Sequence, residues 1–142
     1  MTISQALKKK NKIVSEINKL WAKINQHNST YEGSVRPYDI KKLYSDVITK
    51  SSELVALKVS IHEASAPVRH KIFFLSEMKS SLNHIKSIPT NEGVERYSSS
   101  ATPTVLTCVL NISWQDTEIE LFESQIEQLQ EELDKFNHNT NV

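Results

Sequence analysis

Glycine is almost missing from this chain: of 142 residues only Gly33 and Gly93 are Gly. Tight hairpins and phosphate-cradling loops need residues that tolerate positive φ, so a Walker or Rossmann nucleotide site is excluded and helices are favoured. The single cysteine, Cys108, rules out a disulfide framework. It lies on the apolar side of an alternating stretch and reads as a buried, inert thiol. No apolar run approaches the ~18 residues of a membrane span. The lysine-rich, amphipathic N-terminal stretch lacks the apolar core of a secretory signal, which makes a soluble, cytoplasmic protein the expectation.

Net charge is also missing, with 17 basic against 17 acidic residues. That balance carries no nucleic-acid signature, so nucleic acid is not an expected partner. It conceals an asymmetry along the chain. The first helical stretch holds Lys8, Lys9, Lys10, Lys12, Lys19 and Lys23 against Glu16, a net of +5. The last holds Glu118, Glu120, Glu123, Glu127, Glu131, Glu132 and Asp134 against Lys135, a net of −6. The two are electrostatic complements, within one subunit or between neighbours.

The clearest pattern is a strand-to-helix unit near the C-terminus. Leu106, Cys108, Leu110, Ile112 and Trp114 alternate with their neighbours, which predicts a strand over about 104–114. Ile119, Phe122, Ile126, Leu129, Leu133 and Phe136 recur at intervals of three and four, which predicts a helix over about 116–136. Asp116 or Thr117 can cap it, and Thr117 with Glu120 has the spacing of a capping box. Upstream, similar periodicity predicts helices over about 2–28, 39–63 and 66–86. Thr2 or Ser4 can cap the first and Asp39 the second, while Ser65 and Pro67 suit the start of the third. On the first helix Ile3, Leu7, Val14, Ile17, Trp21 and Ile24 form one stripe; on the second Ile40, Tyr44, Val47, Leu54 and Ile61 do so. Residues 89–103 form a polar connection in which 94–98 could pair back on the strand. The tail after Phe136 is polar and, by composition, frayed. The fold expected is a single domain over 1–142, mainly α with a small β element: long antiparallel amphipathic helices, assembled as a homo-oligomer.

Catalytic constellations are absent from the sequence. His27, His62, His70, His84 and His138 show neither an H-E-x-x-H pattern nor zinc-ligand spacing, so no metal, cofactor or enzymatic activity is expected. Binding chemistry is better represented. The three arginines, Arg36, Arg69 and Arg96, each stand near aromatic residues. A guanidinium can hold phosphate, and a neighbouring ring such as Phe74 or Tyr97 can stack on a base. Arg69 would also lie in the first turn of the third helix, where the dipole favours an anion. An isolated arginine is more often a surface ion pair. Asn137 and Thr140, just past the last seam, could cap that helix or bond a ligand.

Three stretches carry a resemblance: Tyr31-Glu32-Gly33; Leu75-Ser76-Glu77-Met78-Lys79 leading to Thr90-Asn91-Glu92-Gly93; and Leu133-Asp134-Lys135-Phe136-Asn137-x-x-Thr140. Together they resemble a loose group of small helical bacterial and phage proteins that includes septicolysin-like sequences. The layout of long helices, a short strand region and a C-terminal helix looks like the phage Thoeris anti-defence sponge family. That resemblance implies an oligomer in the host-cell cytoplasm that sequesters a cyclic ADP-ribose signal, made by TIR-domain enzymes, without cleaving it. It also implies roles for the candidate residues: Arg69 and Arg96 on phosphate, Phe74 or Tyr97 on adenine, Asn137 and Thr140 on ribose hydroxyls. The alternative expectation is a helical scaffold or adaptor that assembles through its heptad helices.

Overall fold

Thr2 starts the first helix. Its hydroxyl accepts from the Gln5 amide at 3.3 Å, and the Gln5 side chain accepts from the Thr2 amide at 2.9 Å. This capping box satisfies two otherwise orphaned donors and settles the choice between Thr2 and Ser4. The computed structural model describes residues 1–95 and 102–142. Among these it contains α1 (Ile3–His27), α2 (Ile40–Ala64), a 3-10 turn (Ala66–Val68), α3 (Arg69–Ser87), β1 (Gly93–Glu95), β2 (Thr104–Leu106) and α4 (Ile112–Asn139). The protein is mainly helical with a small two-stranded antiparallel hairpin. No helix among the described residues is long and apolar enough to cross a membrane. The chain divides into two compact units, Met1–Arg69 with Asp134–Val142, and His70–Leu133.

In the first unit α1 and α2 run antiparallel. Asp39 caps α2 by accepting from the Lys42 amide at 3.2 Å. Between the helices, Ala6, Ile13 and Leu57 are buried, with Ile17, Leu54 and Ile61 packed around them. One flank of this seam carries the ion pairs Lys9–Glu53 at 2.9 Å and Glu16–Lys50 at 2.6 Å. The loop after α1 turns through Gly33 at φ +81°, a left-handed conformation that a side chain would strain. Arg36 reaches back from it and donates to the carbonyls of His27 and Asn28, the unsatisfied acceptors at the end of α1. The C-terminal tail is not frayed as its composition suggested. Thr2 and Asn141 form a β-bridge, the Ile3 amide donates to the Thr140 carbonyl at 2.8 Å, and the Val142 amide to that of Met1 at 3.0 Å. Pairing of backbone with backbone does not depend on side-chain polarity, which is why composition missed it.

Lys50 donates a short charge-assisted hydrogen bond to Glu16. That bond holds the Glu16 carboxyl below its usual range and the Lys50 ammonium above its own. A carboxyl with a depressed folded pKa adds stability that is present above its unfolded pKa and lost as pH falls through the folded one. A Glu16→Gln variant is therefore expected to melt below the wild type at about pH 7 and to converge with it by about pH 2. Melts across an acid series check this. A gap that persists in acid would mean that packing, not charge, is what Glu16 contributes.

In the second unit α3 and α4 run antiparallel, tied by Lys71–Glu132 at 2.8 Å and Lys86–Glu123 at 3.2 Å. Leu75, Met78 and Leu82 are the buried stripe of α3, while Ile72, one turn before Leu75, is 40% exposed. The strand predicted over 104–114 is much shorter. β2 ends at Leu106 and pairs only with β1, in the register Gly93 with Leu106, Val94 with Val105, and Glu95 with Thr104. Past that point no partner strand is present among the described residues to accept the ladder. Asn111 takes over as a helix cap, accepting from the Trp114 amide at 2.9 Å, so α4 starts at Ile112 rather than near 116. The capping roles predicted for Asp116 and Thr117 fall away, since both lie inside the helix and the Thr117 hydroxyl donates to the Ser113 carbonyl. Cys108 is half-buried rather than buried, with its thiol 3.3 Å from the Asn91 carbonyl.

Candidate functional site

The residues singled out for ligand chemistry fall in different places. Arg69 opens α3, where one of its guanidinium nitrogens donates to the His62 carbonyl at 3.2 Å. There it closes the end of α2, a favoured position for a cation. Asn137 and Thr140 lie about one turn apart in the first unit. The Thr140 amide donates to the Phe136 carbonyl at 3.0 Å, the closing backbone bond of α4. Phe74 belongs to the second unit and is 52% exposed. Its ring stacks on His70 with centroids 6.1 Å apart. Beside it lies a shallow concavity of about 260 Å³, floored by Met78 and Leu129 and edged by Gln125, Gln128 and Glu132. Lys71 holds the Glu132 carboxyl below its usual range by a hydrogen bond, so the negative charge on that edge is already paired. Arg96 and Tyr97 lie outside the described residues.

Three of the five histidines, His27, His70 and His138, have local side-chain partners. His27 packs against Tyr38 with centroids 5.4 Å apart, and His138 holds the Asp134 carbonyl at 2.6 Å. Among the described residues no group of His, Cys, Asp and Glu is arranged to hold a metal ion.

The sequence reading missed a sided surface on the α1/α2 hairpin. The single stripe expected on α1 splits in two. Ile3, Ala6 and Ile13 are buried, whereas Val14 and Trp21 are 37% and 40% exposed. Tyr44, expected inside, is also exposed, as are Ile48, Val55 and Val59. At 100° per residue these four α2 positions fall within about 60° of arc, roughly opposite Lys50 and Glu53. Trp21 and Tyr44 meet edge to face at 6.2 Å, which puts the two apolar stripes on the same side of the hairpin. The ion pairs occupy the other side. Beside the stripes stand exposed Asn11, Ser15, Asn18 and Ala22 on α1, with Lys19 at their edge, and Ser45, Ser52 and Ala56 on α2, with Lys41 and Lys58 bordering the arc that holds Tyr44 and Val59. The signal was present as adjacent apolar pairs such as Ile13-Val14, Val47-Ile48 and Leu54-Val55, but periodicity does not tell a wide buried stripe from two stripes.

A packed core thus lies between the helices and an uncovered apolar face lies on one side of them. No family model matches this chain, and no curated protein or solved structure is significantly similar to it.

Proposed function

We propose that the protein is a non-catalytic helical scaffold that assembles with itself through the uncovered apolar face of the α1/α2 hairpin. The observation that carries this is the sidedness of that hairpin. Val14, Trp21, Tyr44, Ile48, Val55 and Val59 are exposed together on the side that has no ion pairs. Aromatic enrichment and charge depletion distinguish the core of a protein interface from ordinary surface. Two helices cannot cover both flanks of each other, whereas a second hairpin laid across them makes a four-helix layer.

The test is sedimentation of the full chain beside an Ile48→Glu, Val55→Glu variant. The wild type is expected above its 16.2 kDa monomer mass, and the variant at that mass with unchanged helical circular dichroism. A wild type that stays monomeric at roughly 100 μM would exclude any assembly stronger than about −5.5 kcal/mol and overturn the scaffold.

The stacked Phe74 and His70 favour a second reading. A purine could continue that stack over the apolar floor of the adjoining concavity. The resemblance to the Thoeris sponge family supports sequestration of a cyclic ADP-ribose signal by the assembled protein. On that reading cyclic ADP-ribose raises stability by about 2.7 kcal/mol at a hundredfold excess over its dissociation constant. The gain should vanish in Phe74→Ala, and the ligand should be recovered unchanged after denaturation. No thermal shift would remove the sponge and leave the scaffold standing.

A further inference from the structure

We infer that assembly with a second copy is directed by two matched charge stripes, a basic one on α1 and an acidic one on α4. This rests on the reading of the protein as a self-assembling scaffold. Lys8, Lys12, Lys19 and Lys23 are spaced by four, seven and four residues. Asp116, Glu120, Glu127 and Glu131 are spaced by four, seven and four as well. Each set occupies about 60° of its helix and extends about 22 Å along it. All eight side chains are on exposed residues.

Neither stripe is used up inside the chain. Among the described residues, α1 forms its ion pairs with α2 through Lys9 and Glu16, and α4 forms its pairs with α3 through Glu123 and Glu132. None of the eight stripe residues joins an ion pair. Lys12 and Lys19 stand near enough to Glu16 to help hold its carboxyl low, and the Lys23 ammonium lies 4.8 Å from the centre of the Tyr38 ring. The acidic stripe also borders a groove. Glu127 and Glu131 line a concavity of about 410 Å³ whose apolar lining is Leu82 and Ile126. A helix laid there would bury apolar surface while its lysines met the acidic edge.

The four-seven-four spacing reads the same in both directions, so the stripes match with the helices parallel or antiparallel. In either sense Lys12 and Lys19 face Glu120 and Glu127. Exposed pairs are individually weak, so the stripes set partner and register while the apolar floor of the groove, Leu82 and Ile126, adds to the affinity. A second copy is the partner that brings both stripes, and each copy can give one and receive the other.

The experiment is a charge exchange followed by sedimentation at low salt. Lys12→Glu with Lys19→Glu, and separately Glu120→Lys with Glu127→Lys, should each weaken self-association about tenfold or more. Circular dichroism monitors helix content throughout. The decisive protein carries all four reversals: its net charge equals that of the wild type and its stripes match again, so self-association should return. Association of either pair variant at wild-type strength, or failure of the fourfold variant to associate, overturns the inference. If Ile48→Glu, Val55→Glu dissociates the protein while the charge variants do not, the scaffold stands and the stripes fall. A monomeric wild type overturns both.

Discussion

Gln115→Glu is expected to lower the stability of the protein by about 3 kcal/mol at neutral pH. Gln115 is the only buried polar residue among those described, at 6% exposure. Its side-chain amide donates to the Ile85 carbonyl at 2.8 Å and the Ile88 carbonyl at 3.1 Å. From the first turn of α4, one NH₂ group thus closes the end of α3, where helical carbonyls have no partners of their own. A carboxylate there turns two hydrogen bonds into acceptor facing acceptor. The introduced carboxyl would have a raised folded pKa, so the penalty is absent below its unfolded pKa and grows as pH rises through that range. Urea titrations at about pH 4 and about pH 7 should show the variant approaching the wild type in acid. Gln115→Leu is the control. It loses the donor without adding charge and should cost about 1–3 kcal/mol with little pH dependence. Equal behaviour of the two variants would mean that only packing matters at this position.

Val47→Asp should have the larger effect, about 4 kcal/mol or more. Val47 lies in α2 at 1% exposure, and a charge there has neither water nor a partner. Against a total stability of about 5–15 kcal/mol, such a loss leaves a large unfolded fraction. Val47→Ala removes two methyl groups without charge and should cost about 2 kcal/mol. Denaturant midpoints and helical circular dichroism distinguish the cases. A Val47→Asp protein as stable as the wild type would mean that this part of α2 is not packed in solution.

Helices were the legible part of this chain because their evidence is local. Thr2 with Gln5, and Asp39 with Lys42, form caps from residues three positions apart. The strand was less legible for the same reason in reverse. Period-two alternation from Leu106 to Trp114 suits a strand only if another strand lies beside it, and β1 spans three residues. Of the candidate ligand residues, the sequence supplied chemical types but not their occupation. Arg69 turned out to be engaged at a helix end, and Phe74 exposed and stacked on His70.

What the sequence determined by itself was a mainly helical protein, with the starts of its first two helices and its uneven distribution of charge. Each depends on residues within one or two turns of one another, where spacing alone carries the energetics. Only the tertiary structure decided which apolar residues are covered. Ile13 and Val14 are neighbours of similar hydropathy, yet one is buried against α2 and the other is exposed beside Trp21. Burial is a property of what packs against a side chain, and that partner lies tens of residues away in the chain.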